Sequence, residues 1–380
     1  MTDLFINPFI PRTHLAKKET YGYRLHIAQD IEDSAWDAFL ARTPGGHHVQ
    51  TSLWAQVKAS LGWQPVRLTV TREGTTVAGA QILLRRLPLM GAVGYVSKGP
   101  LLTVEDPLLV ELVIKKLQQL ARDHRILFLV VQPPDNDRAI TQELPWHGFR
   151  PSSRKVAPTA TIVIDLAQDL DDILAQMHKK TRYGIRRAQR DGITVREGSE
   201  EDLDTVYELM LAAAERNQYA AYPRQYFNEI WHLFHPPGYI RMFLAEYQGE
   251  TVSAHLVFPF GDTLLSKMGY WSGRHGKLKP NELLEWEVIQ WAKAQGYRYY
   301  DFEGINIKTA EILQRGDPLP DSVLQTAVSF KLGFSQQVAI FPGAYEYIYH
   351  PIMRWAYNKL YLQLSKSKAL KKMMHRIRTR

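Results

Sequence analysis

The feature that most constrains this chain is an order of elements that occurs twice. VRLTVTREGTTVAGAQILL, from Val66, reads as two alternating strands joined at Glu73-Gly74. YIRMFLAEYQGETVSAHLVF, from Tyr239, reads the same way, with its turn at Gln248-Gly249, about 175 residues further on. A strand (GAVGYVS), a loop with Gly99-Pro100, a helix from Pro107 to about Arg122 and the apolar strand ILFLVV follow the first hairpin. A strand (LLSKMGYW), a basic loop, a helix from Asn281 to about Gln295 and the strand YRYYDF follow the second. The two helices carry apolar residues at matching helical spacing: Leu109, Val113, Ile114 and Leu117 against Leu284, Val288, Ile289 and Ala292. The repeat predicts a mixed α/β chain of two similar units, each an antiparallel hairpin followed by a strand–helix–strand crossover.

Composition agrees with that plan. A chain of 380 residues suits two domains, and 45% apolar with 23% charged residues is ordinary for a folded soluble protein. The longest apolar runs, such as Ile126 to Val131, are strand-sized and far short of a bilayer span. The first residues show no apolar stretch of the export type, so a cytoplasmic location is expected. With no cysteine, thiolate nucleophiles, disulfides and iron–sulfur clusters are excluded. The net charge of +8 is concentrated in two places. His178 to Arg190 holds six Lys/Arg and no acid, and Tyr361 to Arg380 holds seven and no acid. Such focused charge suits phosphates or anionic lipid, and a solvated helix face is the alternative for each.

The order of elements resembles the GNAT acyltransferase fold, in which two neighbouring strands splay and the acyl donor binds in the gap. Acyl-CoA users of that fold carry a glycine-rich pyrophosphate loop before the crossover helix. The loops SGRHGKLKP and SKGPLLTVEDP do not match it, so acyl-CoA is not the expected donor.

Six stretches in one order resemble the Fem aminoacyltransferase family, whose members build peptidoglycan bridges. They are VQTSLWAQVKASLGW from Val49, YVSKGPLL from Tyr95, TIVIDL at 161–166 and ILAQMHKKTRYGIRRAQRDGI. PNELLEWEVIQWAKAQGYRYYDFEGI and FKLGF at 330–334 complete the set. The chain departs from the family in KMGYWS at 267–272, in Ser335-Gln336 after FKLGF, and in the polar stretch GINIKTAEILQRGDPLPDSV. No long heptad hairpin follows Arg190, so the compact form without a coiled-coil arm is expected. The resemblance implies two tandem GNAT-like domains. Residues 20–166 with 335–380 form the first, on the acceptor side, and 167–334 the second, on the donor side. It implies transfer of an aminoacyl group from aminoacyl-tRNA to an amine of a UDP-sugar pentapeptide or a lipid-linked peptidoglycan precursor. Aminolysis of an ester needs no covalent nucleophile, no cofactor and no metal. The histidines, His47-His48 and His275 among them, lack metal-ligand spacing.

The same resemblance assigns residues. Lys331 is expected to stabilise charge at the ester, with an ordinary edge-strand lysine as the alternative. Asp301 and Glu303 are expected to accept the amine's proton, a cap or salt-bridge role being the alternative. Lys58, Lys98, Gly99, Arg216, Tyr219, Tyr226 and Tyr270 are expected to contact the acceptor; Trp54 shares the Lys58 helix face and is as well explained as core. A helix from about Leu174 to Arg190 is expected to present Lys179, Lys180, Arg182, Arg186, Arg187 and Arg190 to tRNA phosphates, with Tyr183 free to stack on a base. The tail from Tyr361, with Leu370, Met373, Met374 and Ile377 on one side, reads as a basic amphipathic segment suited to an anionic membrane, or as a frayed terminus. Two other readings remain open: an acyltransferase of the same fold with another donor, and a non-catalytic RNA- or membrane-binding relative.

Overall fold

The structure is a computed structural model that describes residues 22–88, 91–135, 137–324 and 326–349. The amphipathic tail from Tyr361 lies outside the described residues. Among the described residues no helix is long and apolar enough to cross a membrane.

Fifteen strands form two sheets among the described residues. The first sheet draws on β1 (Tyr23–Ala28), β2 (Gln64–Arg72), β3 (Thr75–Leu87), β4 (Gly91–Ser97), β5 (Leu101–Leu102), β6 (Ile126–Gln132) and β7 (Arg150–Pro151). The second draws on β8 (Ala160–Asp165), β9 (Thr194–Glu197), β10 (Arg241–Tyr247), β11 (Glu250–Phe260), β12 (Thr263–Trp271), β13 (Tyr299–Asp301) and β14 (Gln337–Ile340). The last strand, β15 (Tyr345–Tyr347), returns to the first sheet. The orders are β1-β2-β3-β4-β6-β15-β7, with β5 on β3, and β14-β8-β13-β12-β11-β10-β9. Both expected hairpins are present, β2 with β3 and β10 with β11, each followed by an antiparallel third strand and a parallel fourth. The crossover helices Pro107–Asp123 and Pro280–Ala294 bury the paired apolar residues: Leu109, Val113, Ile114 and Leu117 in one, Leu284, Val288, Ile289 and Ala292 in the other. This is the tandem GNAT-like α/β plan.

Two local expectations are corrected. The sequence places residues 160–166 and the strand after residue 335 in the first unit, yet β8 pairs with β14 on one side and with β13 on the other, in the second sheet. The chain thus lends β8 to the second sheet before building it, and only β15 goes back. The single basic helix is two helices, Leu170–Gln176 and Lys179–Arg190. Met177 turns to extended backbone at ψ 151° and buries its side chain, and His178 then caps the second helix by accepting from Lys180 N at 3.2 Å.

The halves share a core. Trp54, Ala55 and Val57 of the helix Ser52–Ala59 pack with Phe234 and Phe258 from the second half. Trp54 therefore belongs to the core, as one of its two readings held.

Candidate active site

A parallel pair of strands opens a cleft where its hydrogen bonding stops. In the first sheet β4 and β6 stay paired to their ends, Ser97 opposite Gln132, and the Gln132 side chain fills the space beyond by bonding Val156, Ala157 and Pro158. In the second sheet β12 and β13 pair only from Thr263↔Tyr299 to Leu265↔Asp301. Past that point they part, and a cavity of about 520 Å³ lies in the gap. The splay expected of the fold is therefore used in one unit and closed in the other.

The wall of the cavity is shaped by a bulge. Leu256 pairs with Met268 but Val257 pairs with Ser266, so Lys267 is an extra residue. A bulge breaks the two-residue alternation of a strand. Ser266 and Lys267, neighbours in sequence, consequently both face the cavity. Lys267 pairs with Glu303, which follows β13 with a positive φ of 44°. The turn is held from two sides. Asp301 accepts from Glu303 N at 2.7 Å and from Thr161 Oγ1 at 2.5 Å. Lys331 Nζ donates to the carbonyl oxygens of Phe302, Glu303 and Gly304 at 2.6, 3.0 and 2.9 Å.

These contacts sort the expected residues. Lys331, Glu303, Arg216, Tyr219 and Tyr270 all line the cavity. Lys331 sits on the helix Ala327–Phe334 rather than on an edge strand, and burial lowers its pKa. Asp301 does not line the cavity; it caps the turn, and burial raises its pKa to about 6. Lys98 and Gly99 are absent from the wall as well. Lys98 is 3% exposed, pairs with Asp135 and lies over the Phe341 ring, while Gly99 N bonds Gln132 O. Lys58 has other partners: its Nζ donates to the Tyr226 hydroxyl at 2.7 Å and sits 4.5 Å from the Trp54 ring centroid. Burial brings its pKa down to about 8, with the Lys267 charge adding to the effect. Tyr226 stacks on Tyr222 and shares a hydrophobic cluster with Tyr270, which lines the cavity together with Tyr219, so aromatic side chains lie between Lys58 and the cavity. Arg216 lies over Trp271 and donates to its carbonyl at 2.9 Å.

On the basic helix, Lys179, Lys180, Arg186 and Arg190 are exposed. Arg182 instead donates to the carbonyls of Ala175 and Met177 at 2.7 and 2.6 Å, clamping the break between the two helices. Arg187 and Arg190 both bond Asp191. The helix is fixed beside the cavity's own helix: His178 N donates to Gly333 O at 2.8 Å. In the loop before Pro280–Ala294, Gly276 makes room for Trp271, whose Cζ2 would lie 2.9 Å from an added Cβ.

The sequence reading missed Lys267 and a cluster of three further residues of the wall. His255, Glu285 and Ser266 form a hydrogen-bonded cluster there, with Tyr300 behind it. The signal was a polar residue set directly beside apolar ones: His255 between Ala254 and Leu256 in β11, Ser266 after Leu264 and Leu265 in β12, and Glu285 between Leu284 and Trp286 in the crossover helix. Among the described residues no group of three or more His, Cys, Asp or Glu is arranged to hold a metal ion.

Comparison with known proteins matches the FemAB family over residues 31–144 and an acetyltransferase (GNAT) domain over residues 175–308. A lipid II:glycine glycyltransferase of Staphylococcus saprophyticus subsp. saprophyticus is 25% identical over 234 residues, covering 59% of this chain and 56% of that protein. The Staphylococcus aureus protein of the same name is 25% identical over 227 residues, covering 57% and 54%. The chain thus spans about half the length of the curated relatives it matches. Among solved structures, FemX superimposes with a TM-score of 0.76 at 20% identity, covering 86% of this chain and 98% of that one. L-PGS from Bacillus licheniformis follows the same fold at a TM-score of 0.52 and 15% identity, covering 84% and 92%.

Proposed function

We propose that this chain, which belongs to the Fem family by its FemAB match and its relatives, is an aminoacyltransferase that adds an amino acid to an amine of a peptidoglycan precursor's stem peptide, as in interpeptide bridge formation. The donor is aminoacyl-tRNA and the acceptor an amine of a UDP-sugar pentapeptide or its lipid-linked form. The observation that carries the reading is the cavity at the parting of β12 and β13, with Lys331, Lys267 and Glu303 on its wall.

Three tasks fall to these residues. Lys331 lends a fixed positive charge to the ester carbonyl as it becomes an oxyanion. Its hydrogen bonds are already given to the turn, so it acts by field, which a water-poor cavity strengthens. Glu303, paired with Lys267, holds the incoming amine against the carbonyl. Alignment of an already reactive ester with an amine can itself contribute about 7–11 kcal/mol. The aromatic run from Lys58 and Tyr226 to Tyr270 receives the acceptor's body, and Lys58 suits its diphosphate. The exposed charges Lys179, Lys180, Arg186 and Arg190 stand beside the helix of Lys331, which supports a tRNA approach that delivers the charged end into the cavity.

Single-turnover loss of amino acid from charged tRNA tests the reading. It should require the UDP-sugar pentapeptide or lipid-linked precursor; loss at the same rate without either, or none at all, contradicts it. The tail from Tyr361 serves a lipid-linked acceptor by resting on anionic membrane. Deleting Lys366 to Arg380 should abolish co-sedimentation with phosphatidylglycerol vesicles while sparing turnover on the soluble precursor. Equal vesicle binding by both proteins would defeat that part.

A further inference from the structure

We infer that Ser266 and His255, backed by Glu285, are the proton path of the reaction: the attacking amine passes its proton to Ser266 Oγ, which passes its own to His255 Nε2. The inference rests on the aminoacyl-transfer reading above and adds to it the residues that handle the proton.

The geometry is a chain of three polar groups ending at the cavity. Ser266 Oγ lies 2.9 Å from His255 Nε2, and His255 Nδ1 lies 3.2 Å from Glu285 Oε2. The second carboxylate oxygen accepts from Tyr300 OH at 2.7 Å and lies 3.1 Å from Ser266 Oγ, whose single proton goes either to it or to His255 Nε2 at 2.9 Å. Glu285 can only accept, so it fixes the proton on Nδ1 and leaves the Nε2 lone pair facing Ser266. His255 is 4% and Glu285 5% exposed, while Ser266 is half-buried. Ser266 is thus the member that meets a ligand, and the bulge at Lys267 is what turns it there.

The charges around the imidazole support the assignment. It is faced by Glu285 from the crossover helix, Lys331 from the helix Ala327–Phe334 and Ser266 from β12, with Tyr300 of β13 behind Glu285. Burial, aided by Lys331, holds the ring below the ordinary histidine pKa although Glu285 opposes it. The ring is neutral at pH 7 and able to accept. Once it does, Glu285 stabilises the imidazolium. The rival bases are engaged elsewhere: Glu303 with Lys267 and Asp301 with Thr161. The step balances. The acceptor nitrogen bonds to the ester carbon, the ester C–O bond breaks, and the proton returns through Ser266 to the departing ribose oxygen.

Two variants and one spectrum test the path. His255→Asn keeps a donor near Nδ1 for Glu285 and deletes Nε2; Ser266→Ala removes the hydroxyl with the least change of volume. With charged tRNA and a UDP-sugar pentapeptide, kcat should fall about 100-fold in each while donor KM changes less than about twofold. The fall of wild-type activity on the acid side should vanish in His255→Asn and persist in Glu303→Gln. Nitrogen-15 NMR of histidine-labelled protein should show His255 neutral and protonated on Nδ1 at pH 7. An imidazolium at pH 7, or wild-type kcat and pH profile in both variants, overturns the proposal. Wild-type protein that transfers nothing sinks the aminoacyl-transfer reading instead, and the NMR result still decides whether the ring can accept a proton.

Discussion

Lys267 and Glu303 meet as an ion pair across the gap that opens when β12 and β13 stop pairing at Leu265 and Asp301. The pair joins two irregularities, since Lys267 is the bulged residue and Glu303 has φ 44°. A non-glycine residue there carries strain of order 1 kcal/mol or more, which the surrounding contacts must hold. Glu303→Gly should therefore unfold at the same temperature as wild type or higher, while turnover falls at least about tenfold. Thermal unfolding and transfer assays on the same preparation check both halves; a destabilised but fully active protein would reverse the assignment.

Lys331 is tied to three backbone carbonyls, so its removal has two effects. Lys331→Met keeps the volume but leaves those oxygens without their donor, at about 1–3 kcal/mol for each that water cannot reach. The variant should lose roughly 2 kcal/mol or more in denaturant unfolding, and turnover at least about tenfold. Unchanged stability would mean that the turn does not depend on this lysine.

Asp301 gives a pH signature. Burial raises its pKa from 3.8 to about 6, so the folded state holds this proton more tightly than the unfolded chain. Its favourable contribution is complete below 3.8 and is lost as pH rises through about 6. Asp301→Asn should match wild type near pH 4 and exceed it at pH 8 by up to about 3 kcal/mol. Urea unfolding at the two pH values measures this, and a variant less stable at pH 8 contradicts it.

The basic helix separates into exposed and structural charges. Neutralising Lys179, Lys180 and Arg186 together should weaken tRNA binding and flatten its salt dependence by roughly one unit per lost phosphate contact. Arg182→Ala, which frees the carbonyls of Ala175 and Met177, should lower stability instead. Wild-type salt slopes in the triple variant would remove the helix from the tRNA path.

Gly333 of the FKLGF stretch sets how close this helix comes to that of Lys331. An added Cβ would lie 2.4 Å from Thr181 Oγ1, so Gly333→Ala requires the Thr181 side chain to turn or the two helices to part. A loss of about 1–3 kcal/mol is expected, partly restored by adding Thr181→Ala. Additive effects of the two changes would refute the close approach.

The doubled plan was legible because hairpins and amphipathic helices announce themselves over a few residues, as Glu73-Gly74 and the Leu109 to Leu117 stripe do. The exchange of β8 into the second sheet was not, since strand partners are chosen between distant segments of the chain. Glu303 and Lys331 were reached through the YYDFEGI and FKLGF motifs, and Arg216, Tyr219 and Tyr270, named outside the matching motifs, line the same cavity. Lys98 was misplaced because sequence does not show that Asp135 waits to bury it. Ser266 and Lys267 were hidden by the bulge, as alternation alone assigns neighbours to opposite faces.

Mass spectrometry of the acceptor shows whether an amino acid is transferred to a peptidoglycan precursor. Incubation with fully charged bulk tRNA and the UDP-sugar pentapeptide, or its lipid-linked form, should add the mass of one amino-acid residue to the acceptor's stem peptide. The gain should form at least about tenfold more slowly in Lys331→Met and be absent when acetyl-CoA replaces the tRNA. An acceptor of unchanged mass with both precursors, or one acetylated from acetyl-CoA, would contradict the account.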